Sequence, residues 1–393
     1  MARLLAAALR WLLLPAALVL ALAGLFAVRM APLWIPWQYR LLITNQIGET
    51  GYRILWLPPA IALLAWLLRR GHARLTIATL AGSLAAFALL ATPTAQAWWL
   101  GRTLPARLTA AFGPAAPDRA PFSFAGLFAD PPDPVAPEEM VFGGPLQLDF
   151  FRAVGRTPAP CVIVLHGGGW VGGGHRDGRP YTAWLARHGY AVATIDYRLV
   201  PQAVWPAQRQ DVAGAIAFLR AHAASLGVDP DRFVLLGRSA GSQIALATAY
   251  AARRPGIRGV IAFYGPSDLR FRSGDLSGGD MNFRLHGWTA EQIVAKYLGG
   301  TESEVPAAYA AASAITLVGP ACPPTLLIHG RLDSLVPVAQ SARLAAKLAA
   351  ASRPNLLVEL PCDSHAFDTL NFDGPGTQLS TYAIAWFLES VTR

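Results

Sequence analysis

Residues 233–245, FVLLGRSAGSQIA, carry the strongest structural signal in this chain. An apolar run ends at Gly237, a G-x-S-x-G pattern places Ser239 between two glycines, and a helix-forming segment follows directly. A serine on a sharp turn between a strand and a helix exposes a nucleophilic hydroxyl, and glycines beside it avoid backbone clashes. The pattern therefore predicts a nucleophile at Ser239, with a serine that only caps the helix as the alternative.

Short apolar runs on both sides of this stretch alternate with amphipathic segments. Besides residues 233–237, the candidate strands are Val162–Leu165, Ala191–Ile195, Val260–Tyr264, Thr325–Gly330 and Leu356–Leu360. Between them, apolar residues recur at helical spacing, for example Val212, Ile216 and Leu219. This alternation is typical of a parallel sheet covered by helices on both faces. We predict an α/β domain with a doubly wound, mostly parallel sheet over residues 139–393.

A glycine-rich segment, HGGGW at residues 166–170, follows one of these runs. Its three consecutive glycines leave backbone N–H groups accessible, as an oxyanion hole requires. A flexible glycine turn is the alternative, and a phosphate-binding loop is excluded because no Gly-Lys-Ser/Thr follows. We expect His166 to hold the loop by a hydrogen bond, and Trp170 either to line a substrate pocket or to belong to the core.

A nucleophilic serine needs a base and an acid that orients the base. Asp333 follows the run TLLIHG, and His365 lies in the loop after the next run, so both are placed at strand ends. The order serine, acid, histidine is that of the G-x-S-x-G hydrolases. We therefore predict Ser239, Asp333 and His365 as catalytic residues, with Asp268 as the alternative acid. Among the other histidines, His329 lies within a predicted strand, where a packed structural histidine is expected.

Taken as an ordered set, HGGGW, DYRLVP at 196–201, GRSAG, HGRLDSLVP and the late SHAF resemble the α/β-hydrolase superfamily. They look most like its hormone-sensitive-lipase-like carboxylesterases, including feruloyl-esterase-like and acetyl-esterase-like members. The resemblance extends from about Met140 to the last residue of the sequence and implies the same three catalytic residues. It also implies an oxyanion hole and side chains that brace its loop. The implied donors are the backbone N–H groups of Gly168, Gly169 and Ala240, with Gly167 in support, and the implied braces are Asp196 and Arg198.

Two positions depart from the pattern of these relatives. Arg238 stands before the serine where many relatives carry an acid, and Ser242 follows the last glycine where another glycine is common. Neither belongs to the predicted triad. Residues 269–305 also interrupt the alternation of strands and helices. We interpret them as a small lid or pocket wall, with an ordinary surface insertion as the alternative.

The N-terminal region is apolar and carries the excess charge of the chain. Residues 1–110 hold ten arginines and one glutamate, whereas the remaining residues carry equal numbers of acidic and basic side chains. The high pI therefore does not indicate nucleic-acid binding. Three apolar stretches predict transmembrane helices near residues 11–28, 52–69 and 75–100. A cleaved signal peptide is the alternative for the first stretch.

The arginines also predict an orientation in the membrane. Arg3 and Arg10 would share one side with a tight arginine cluster at residues 69–74, whereas Arg29, Arg40 and Arg53 would spread over a longer loop on the other side. The tight cluster favours the cytoplasm for its side. With three spans, the C-terminal domain is then extracytoplasmic. If the proline-broken second stretch does not cross the membrane, the C-terminal domain lies in the cytoplasm instead. Residues 103–138, rich in Pro and Ala, are predicted to form a linker.

The expected protein is a multi-pass, membrane-anchored serine carboxylesterase that hydrolyses small or short-acyl esters. Its expected partners are a small-molecule ester and the lipid bilayer, and no nucleic acid. The sequence contains neither a metal-ligand cluster nor a nucleotide motif, so we expect no metal and no cofactor. The same triad would also serve an amidase, peptidase or deacetylase acting on envelope components. A non-catalytic binding module on the same fold is an alternative from another class.

Overall fold

The C-terminal part of the chain is built around an eight-stranded sheet. The computed structural model describes residues 2–29, 32, 35–130, 133–177, 179–251, 256–270, 283–369 and 372–393, and the strands are counted within these ranges. The strands are β1 (Glu138–Gly143), β2 (Leu146–Phe151), β3 (Ala159–Leu165), β4 (Ala191–Ile195), β5 (Val228–Arg238), β6 (Ile257–Phe263), β7 (Thr325–Gly330) and β8 (Asn355–Leu360). Their order in the sheet is β1-β2-β4-β3-β5-β6-β7-β8. β2 pairs antiparallel with both neighbours, and all other pairs are parallel.

The predicted doubly wound, mostly parallel sheet is confirmed. The six predicted strands correspond to β3 through β8, and β3, β4 and β7 are buried along their whole length because helices cover both faces of the sheet. The hairpin of β1 and β2 was not predicted. β1 is an edge strand that begins with the exposed Glu138 and Glu139 and alternates exposed with half-buried positions, so it has no apolar run.

Twelve helices accompany these strands within the described residues. They are α1 (Ala2–Val28), α2 (Trp37–Thr50), α3 (Leu57–Leu67), α4 (Ala73–Phe112), α5 (Arg179–Arg187), α6 (Ala207–Ala221), α7 (Ala223–Leu226), α8 (Ala240–Tyr250), α9 (Ala290–Leu298), α10 (Pro306–Ala312), α11 (Ala339–Ala350) and α12 (Pro375–Val391). Every residue of α8 is buried. This central helix fixes the position of the turn at its N-terminus.

Two of the N-terminal helices are long and apolar enough to cross a bilayer by length and composition. Within the described residues these are α1, from Ala7 to Val28, and α4. The 22 residues of the first window extend about 33 Å, close to the hydrocarbon thickness of about 30 Å. Large apolar side chains on both helices are exposed, among them Leu12, Val19 and Leu84. These helices correspond to the first and third predicted stretches.

The second predicted stretch, residues 52–69, does not form a single spanning helix. Gly51–Ile54 form a 3-10 turn, and α3 begins only at Leu57. Pro58 and Pro59 occupy the first turn of α3, where a missing N–H costs no helical hydrogen bond, so they start the helix rather than kink it. With 11 residues, α3 is about 16 Å long, half of a hydrocarbon core. The prediction of one spanning helix over this stretch is wrong.

Helix α4 continues beyond its apolar stretch to Phe112, so the first residues of the predicted linker are helical. Leu104 and Leu108 on this extension are fully buried, and Arg107 Nη2 donates a hydrogen bond of 2.8 Å to the carbonyl of Leu357 in β8. These contacts with the sheet domain stabilise a helix that the Pro- and Ala-rich composition does not predict.

Helices α1 and α4 pack side by side and run in the same direction. A Cβ on Gly24 would lie 2.7 Å from the Cβ of Leu89, and one on Gly82 would lie 3.3 Å from the Cβ of Ala17. Because the contacts advance along both helices together, the two helices are parallel. The chain therefore has to return between them, and residues 37–67, which include α2 and α3, make this return.

Candidate active site

Ser239 lies on a strained turn between β5 and α8. Its φ is +51°, a left-handed conformation that residues with side chains rarely adopt. A Cβ on Gly237 would lie 2.3 Å from the carbonyl oxygen of Gly241, and a Cβ on Gly241 would lie 2.4 Å from that of Leu165. Close backbone contacts therefore require both glycines of the motif.

Ser242, one of the two departures from the pattern of the relatives, ties this turn to the next strand. Its hydroxyl is within hydrogen-bonding distance of the carbonyl oxygens of Gly237 (2.6 Å) and Phe263 (2.7 Å). Gly265 makes room for it, because a Cβ on Gly265 would lie 2.2 Å from the Cβ of Ser242. A serine here replaces the common glycine and links β5 to β6.

The structure brings the three predicted catalytic residues together. His365 Nε2 lies 2.9 Å from Ser239 Oγ, and His365 Nδ1 lies 2.8 Å from Asp333 Oδ2. Asp333 and His365 are buried, whereas Ser239 is half-buried and lines a cavity. A chain of hydrogen bonds therefore leads from a buried carboxylate through an imidazole to an accessible hydroxyl.

Asp333 is held in its ionised form. Its Oδ1 accepts hydrogen bonds from the N–H groups of Leu335 (2.9 Å) and Val336 (2.8 Å), and its Oδ2 also lies 3.2 Å from His329 Nε2. Burial alone would raise the pKa of Asp333, but attraction to His365 and the hydrogen bonds from His329 and His365 hold this pKa well below its ordinary value. Asp333 is thus an anion that can orient the imidazole.

Asp268, the alternative acid, is engaged with other partners. Its carboxylate forms an ion pair of 2.9 Å with Arg270 and lies 3.3 Å from Ser313 Oγ. Burial opposes ionisation, but the hydrogen bonds and the charge of Arg270 lower the pKa of Asp268 overall. The geometry therefore favours Asp333 as the acid next to His365.

The glycine segment after β3 adopts a backbone that glycine accommodates best. The φ angle is +110° at Gly168 and +60° at Gly169, and a Cβ on Gly168 would collide with the backbone four residues later. A Cβ on Gly167 would be only 3.4 Å from the Cβ of Ser239. Ala240 is the first residue of α8, where helical N–H groups have no intrahelical acceptor. All four predicted oxyanion-hole residues line one cavity with Ser239.

His166 and Asp196 contact the glycine segment and the residues just after it. The His166 ring stacks on Tyr197 with centroids 4.1 Å apart, and its Nδ1 lies 2.7 Å from the carbonyl oxygen of Gly167. Burial lowers the pKa of His166, so the ring is neutral and donates its Nδ1–H to that carbonyl. Asp196 accepts hydrogen bonds from the backbone N–H and the ring Nδ1 of His175, both at 2.9 Å.

Arg198 is placed differently from the expectation that it braces the oxyanion loop. Its guanidinium binds Asp211 on α6, with Nη2 2.7 Å from Oδ1, and donates to the carbonyl of Ala207. A backbone hydrogen bond connects this loop to the glycine segment, from the N–H of Val200 to the carbonyl of Trp170 at 2.9 Å. Arg198 fixes α6 to the loop after β4, and its link to the oxyanion loop is indirect.

A cavity of about 640 Å³ contains Ser239 and His365 in its wall. Trp170, predicted either as pocket or as core, is both. It lines the cavity, its ring stacks on Tyr297 at 4.5 Å, and its Nε1 donates to Gln243 Oε1 at 3.0 Å. These contacts hold the indole rigidly beside the glycine segment.

Two regions outside the sheet complete the apolar wall of this cavity. One is the insertion at 269–305, of which residues 271–282 lie outside the described residues, and the other is helix α2. Their lining side chains are Phe283, Leu285, Ile293 and Val294 from the insertion, and Trp37 and Leu41 from α2. The described part of the insertion therefore lies where a pocket wall was predicted, and the contribution of α2 was not expected.

Arg238, the other departure from the pattern of the relatives, forms a buried ion pair. Its Nε donates to Asp368 Oδ2 at 2.6 Å, and its guanidinium lies 4.8 Å from the ring centroid of Tyr181. Tyr264 donates its hydroxyl to the other oxygen of Asp368 and packs its ring 4.7 Å from that of His365. No local pattern links these residues, which meet because the ends of β5 and β6 and the His365 loop share one edge of the sheet.

Helix α2 packs against the loop that carries His365. Asn45 Nδ2 donates to the carbonyl of His365 at 2.7 Å, and Asn45 Oδ1 accepts from the N–H of Ser364 at 3.3 Å. One helical turn later, Glu49 accepts a hydrogen bond of 3.0 Å from the N–H of Gly376 in α12. Neither Asn45 nor Glu49 was predicted from the sequence, because their partners lie more than 300 positions away.

Residues 148–348, about half of the chain, match the BD-FAE family. The matched segment runs from β2 to α11 and contains Ser239, Asp333 and the glycine segment. The chain belongs to the BD-FAE family. His365, β8 and all helices before β1 lie outside the matched segment of this BD-FAE protein.

Two curated relatives from Mycobacterium tuberculosis are similar to this BD-FAE chain. Esterase LipC is 32% identical over 250 residues, which are 60% of this chain and 59% of the relative. The probable carboxylic ester hydrolase LipM is 32% identical over 225 residues, which are 54% of this chain and 50% of the relative. The chain thus spans between half and three fifths of the length of these relatives.

A solved structure of a bacterial heroin esterase has the same fold as this BD-FAE domain. It superposes with a TM-score of 0.58 at 23% identity, covering 66% of this chain and 86% of the esterase. At this identity the likeness concerns the fold. Together with the family match, it confirms the predicted α/β-hydrolase architecture.

The buried pair of Arg238 and Asp368 predicts a large effect on stability. In Asp368→Leu the charge of Arg238 stays buried without its partner, and we expect a loss of about 3–5 kcal/mol in the free energy of unfolding. The double variant Arg238→Met/Asp368→Leu should regain most of that loss because neither charge remains. Urea unfolding of the detergent-solubilised protein, followed by tryptophan fluorescence, measures both values.

The exposed ion pair of Arg331 and Glu359 provides the control for this comparison. Solvent screens this pair, so Arg331→Met should cost at most about 1 kcal/mol. An Asp368→Leu variant as stable as Arg331→Met would contradict a structural role for the buried pair.

The carboxyl of Glu49 predicts a pH-dependent contribution to stability. Burial and the neighbouring carboxyl of Asp363 raise the pKa of Glu49 well above its ordinary value. The folded protein therefore keeps this proton to higher pH than the unfolded chain, where the pKa is about 4.3. The stabilisation is complete below that pH and is lost as pH rises through the folded-state pKa.

Glutamine at position 49 cannot ionise. We therefore expect the melting temperature of Glu49→Gln to fall less than that of wild type as pH rises. Melting curves measured from about pH 5 to 9 test the difference. Glu359→Gln, at a more exposed carboxylate, is the control and should follow wild type. If Glu49→Gln also followed wild type, the proton on Glu49 would have no part in stability.

Proposed function

We propose that this BD-FAE protein is a membrane-anchored serine carboxylesterase that hydrolyses small or short-acyl carboxylic esters. The observation that carries the proposal is the hydrogen-bonded chain from Asp333 through His365 to Ser239, which ends in a cavity. The similarity to relatives named as an esterase and a carboxylic ester hydrolase supports an ester as the bond that is cleaved.

In the proposed reaction, Ser239 Oγ attacks the ester carbonyl carbon while His365 Nε2 accepts the hydroxyl proton. Asp333 holds the imidazole through Nδ1 and stabilises the positive charge that the ring acquires. The tetrahedral intermediate then expels the alcohol, to which His365 returns the proton. Water attacks the resulting acyl-enzyme with the same histidine as base, and the carboxylic acid leaves.

Negative charge that develops on the carbonyl oxygen needs fixed hydrogen-bond donors. We assign this role to the N–H groups of Gly168, Gly169 and Ala240, with Gly167 in support. Ala240 lies at the N-terminus of α8, where the aligned peptide dipoles favour negative charge. The positive φ angles of the two glycines and the contacts of His166 support donors that need no reorganisation during the reaction.

The proposed size of the substrate rests on the cavity. Its volume of about 640 Å³ is in the usual range of small-molecule sites, about 300–1,000 Å³. Because both the acyl and the alcohol part must fit, each can occupy only a share of this volume. Apolar side chains such as Trp37, Leu285 and Val294 form much of the wall and favour an uncharged acyl group.

We further propose that α1 and α4 anchor the protein in a bilayer with the α/β domain on the extracytoplasmic side. The parallel arrangement supports this orientation because it brings the N-terminal end of α1 next to the α3–α4 loop, where Trp11 contacts His72, and the arginines cluster tightly there but are spread out toward the domain. The arginines at that end are Arg3, Arg10, Arg69, Arg70 and Arg74. Clustered positive charge stays in the cytoplasm. Because α1 and α4 are parallel, the chain between them crosses back, although α3 alone is too short to span. The end of α4 that leads into the domain is then extracytoplasmic.

The proposed nucleophile predicts the outcome of Ser239→Ala. We expect kcat for p-nitrophenyl acetate to fall by roughly 10⁴- to 10⁶-fold, because no other group forms the acyl-enzyme. In wild type, turnover should fall from acetate through butyrate to decanoate. Initial rates of the membrane-embedded protein on the three esters, with fluorophosphonate labelling, measure both effects.

Ser225→Ala, at an exposed serine on α7, is the control and should retain wild-type rates and labelling. Undiminished turnover in a folded Ser239→Ala variant would refute the nucleophile. Labelling of Ser239 without turnover of any ester would point to an amide substrate, and absence of both in folded protein would favour a binding module.

The proposed orientation predicts the activity of reporter fusions in a bacterial host. Alkaline phosphatase fused after Arg393 should be active because this enzyme matures only outside the cytoplasm, where it forms its disulfides. The same enzyme fused after Arg70, between α3 and α4, should be inactive, and a green fluorescent protein at that position should fluoresce. The opposite pattern would place the α/β domain in the cytoplasm.

A further inference from the structure

Helix α2 buries four polar side chains and leaves two large apolar ones exposed. Its buried polar residues are Arg40, Thr44, Asn45 and Glu49. On the other face, Tyr39 and Leu42 are 55% and 50% exposed. A helix on the surface of a soluble domain has the reverse pattern. Burying polar groups costs free energy unless they are hydrogen-bonded. We therefore expect the buried polar side chains of α2 to make specific hydrogen bonds.

Asn45 is the residue of this face that reaches the predicted base. It is 4% exposed, and its amide donates to the carbonyl of His365 at 2.7 Å and accepts from the N–H of Ser364 at 3.3 Å. One donor and one acceptor on a single planar amide hold the two peptide groups on either side of the Ser364–His365 peptide. This geometry fixes both the position and the rotation of the loop at His365.

The loop at His365 is one that needs external support. Ala366 has a φ of +58°, which is unfavourable for a residue with a side chain, so neighbouring contacts must hold it. On the other side, the hydroxyl of Ser364 donates to the carbonyl of Leu332 at 3.1 Å, next to Asp333. Asn45 therefore binds the short segment of Ser364 and His365, which is also hydrogen-bonded to the residue before Asp333.

Three further contacts hold α2 in this position. A Cβ on Gly48 would lie 3.1 Å from the carbonyl oxygen of Cys362, so the helix approaches the loop closely at that glycine. Glu49 binds the N-terminus of α12 through the N–H of Gly376. At the other end of the helix, Trp37 packs edge-to-face on Phe283 at 4.8 Å in the cavity wall.

We propose that Asn45 is a positioning residue for His365, so that helix α2 is part of the active site. The inference rests on the proposed function, in which His365 is the base. Asn45 acts through the backbone of the loop and does not touch the substrate. A shift of the imidazole by about 1 Å relative to Ser239 is enough to cost about 100-fold in rate.

The test compares Asn45→Ala and Asn45→Asp in the full chain. Asn45→Asp keeps the size of the side chain, but a carboxylate oxygen cannot donate to the carbonyl of His365. End-point labelling with a fluorophosphonate counts the active sites, and p-nitrophenyl butyrate gives kcat for each counted site. We expect kcat per site to fall roughly 10- to 100-fold in both variants, with KM changed by less than about threefold.

Gln46→Ala is the matched control, because Gln46 is the next residue on the same helix and is exposed. It should keep the wild-type kcat per site. The melting temperature of every variant is measured beside its kinetics. A role in folding alone would lower the melting temperature and the number of labelled sites but leave kcat per site unchanged, and that result would overturn the inference.

The remaining outcomes also decide the inference. Loss of folded protein in both Asn45 variants would make Asn45 a folding residue and overturn the positioning role. A wild type whose turnover does not depend on Ser239 would overturn the proposed function and, with it, this inference. Ser239-dependent turnover in wild type together with unchanged kcat per site in both variants would overturn this inference alone.

Discussion

The backbone at the ends of β3 and β5 comes closer than any side chain would permit, and the candidate site depends on this approach. Gly241 touches the backbone of Leu165 and His166, and Gly237 touches that of Gly241. Helix α8 can therefore begin directly beside the glycine segment, so that the N–H of Ala240 and the segment border the same serine. The positive φ at Ser239 persists because these contacts over-determine it.

Two groups of buried charges then determine where the imidazole of His365 lies. Buried charge is costly unless it is paired and hydrogen-bonded, and both carboxylates meet that condition. Asp333 has backbone and imidazole donors on both oxygens and holds His365 through Nδ1. Asp368 binds Arg238 and Tyr264, whose ring packs against the imidazole. Arg238 therefore replaces the acid common in relatives with a cation that has its own buried partner.

The parts of this structure that depend on local sequence could be predicted, and those that depend on distant partners could not. The run Thr325–Gly330 coincides with β7 because a strand buried on both faces requires continuous apolar residues. The serine turn was recognisable because its steric requirement falls on glycines two residues away on either side. The stretch at 52–69 was misjudged because the pair Pro58-Pro59 can start a helix as well as bend one. The docking of α2 left no local signal, since the partner of Asn45 is 320 residues away.

The polarity of α2 makes the N-terminal helices and the α/β domain interdependent. If the domain moved away from α2, Asn45 and Glu49 would lose their hydrogen bonds, and the backbone N–H groups of Ser364 and Gly376 would lose their acceptors. Beside apolar helices such as α1 and α4, few other groups could replace these partners, and unpaired polar groups in apolar surroundings cost several kcal/mol each. The separated state is therefore penalised on both surfaces at once. For the same reason, a helix whose composition suggests only a connection between apolar segments is held against the loop of His365.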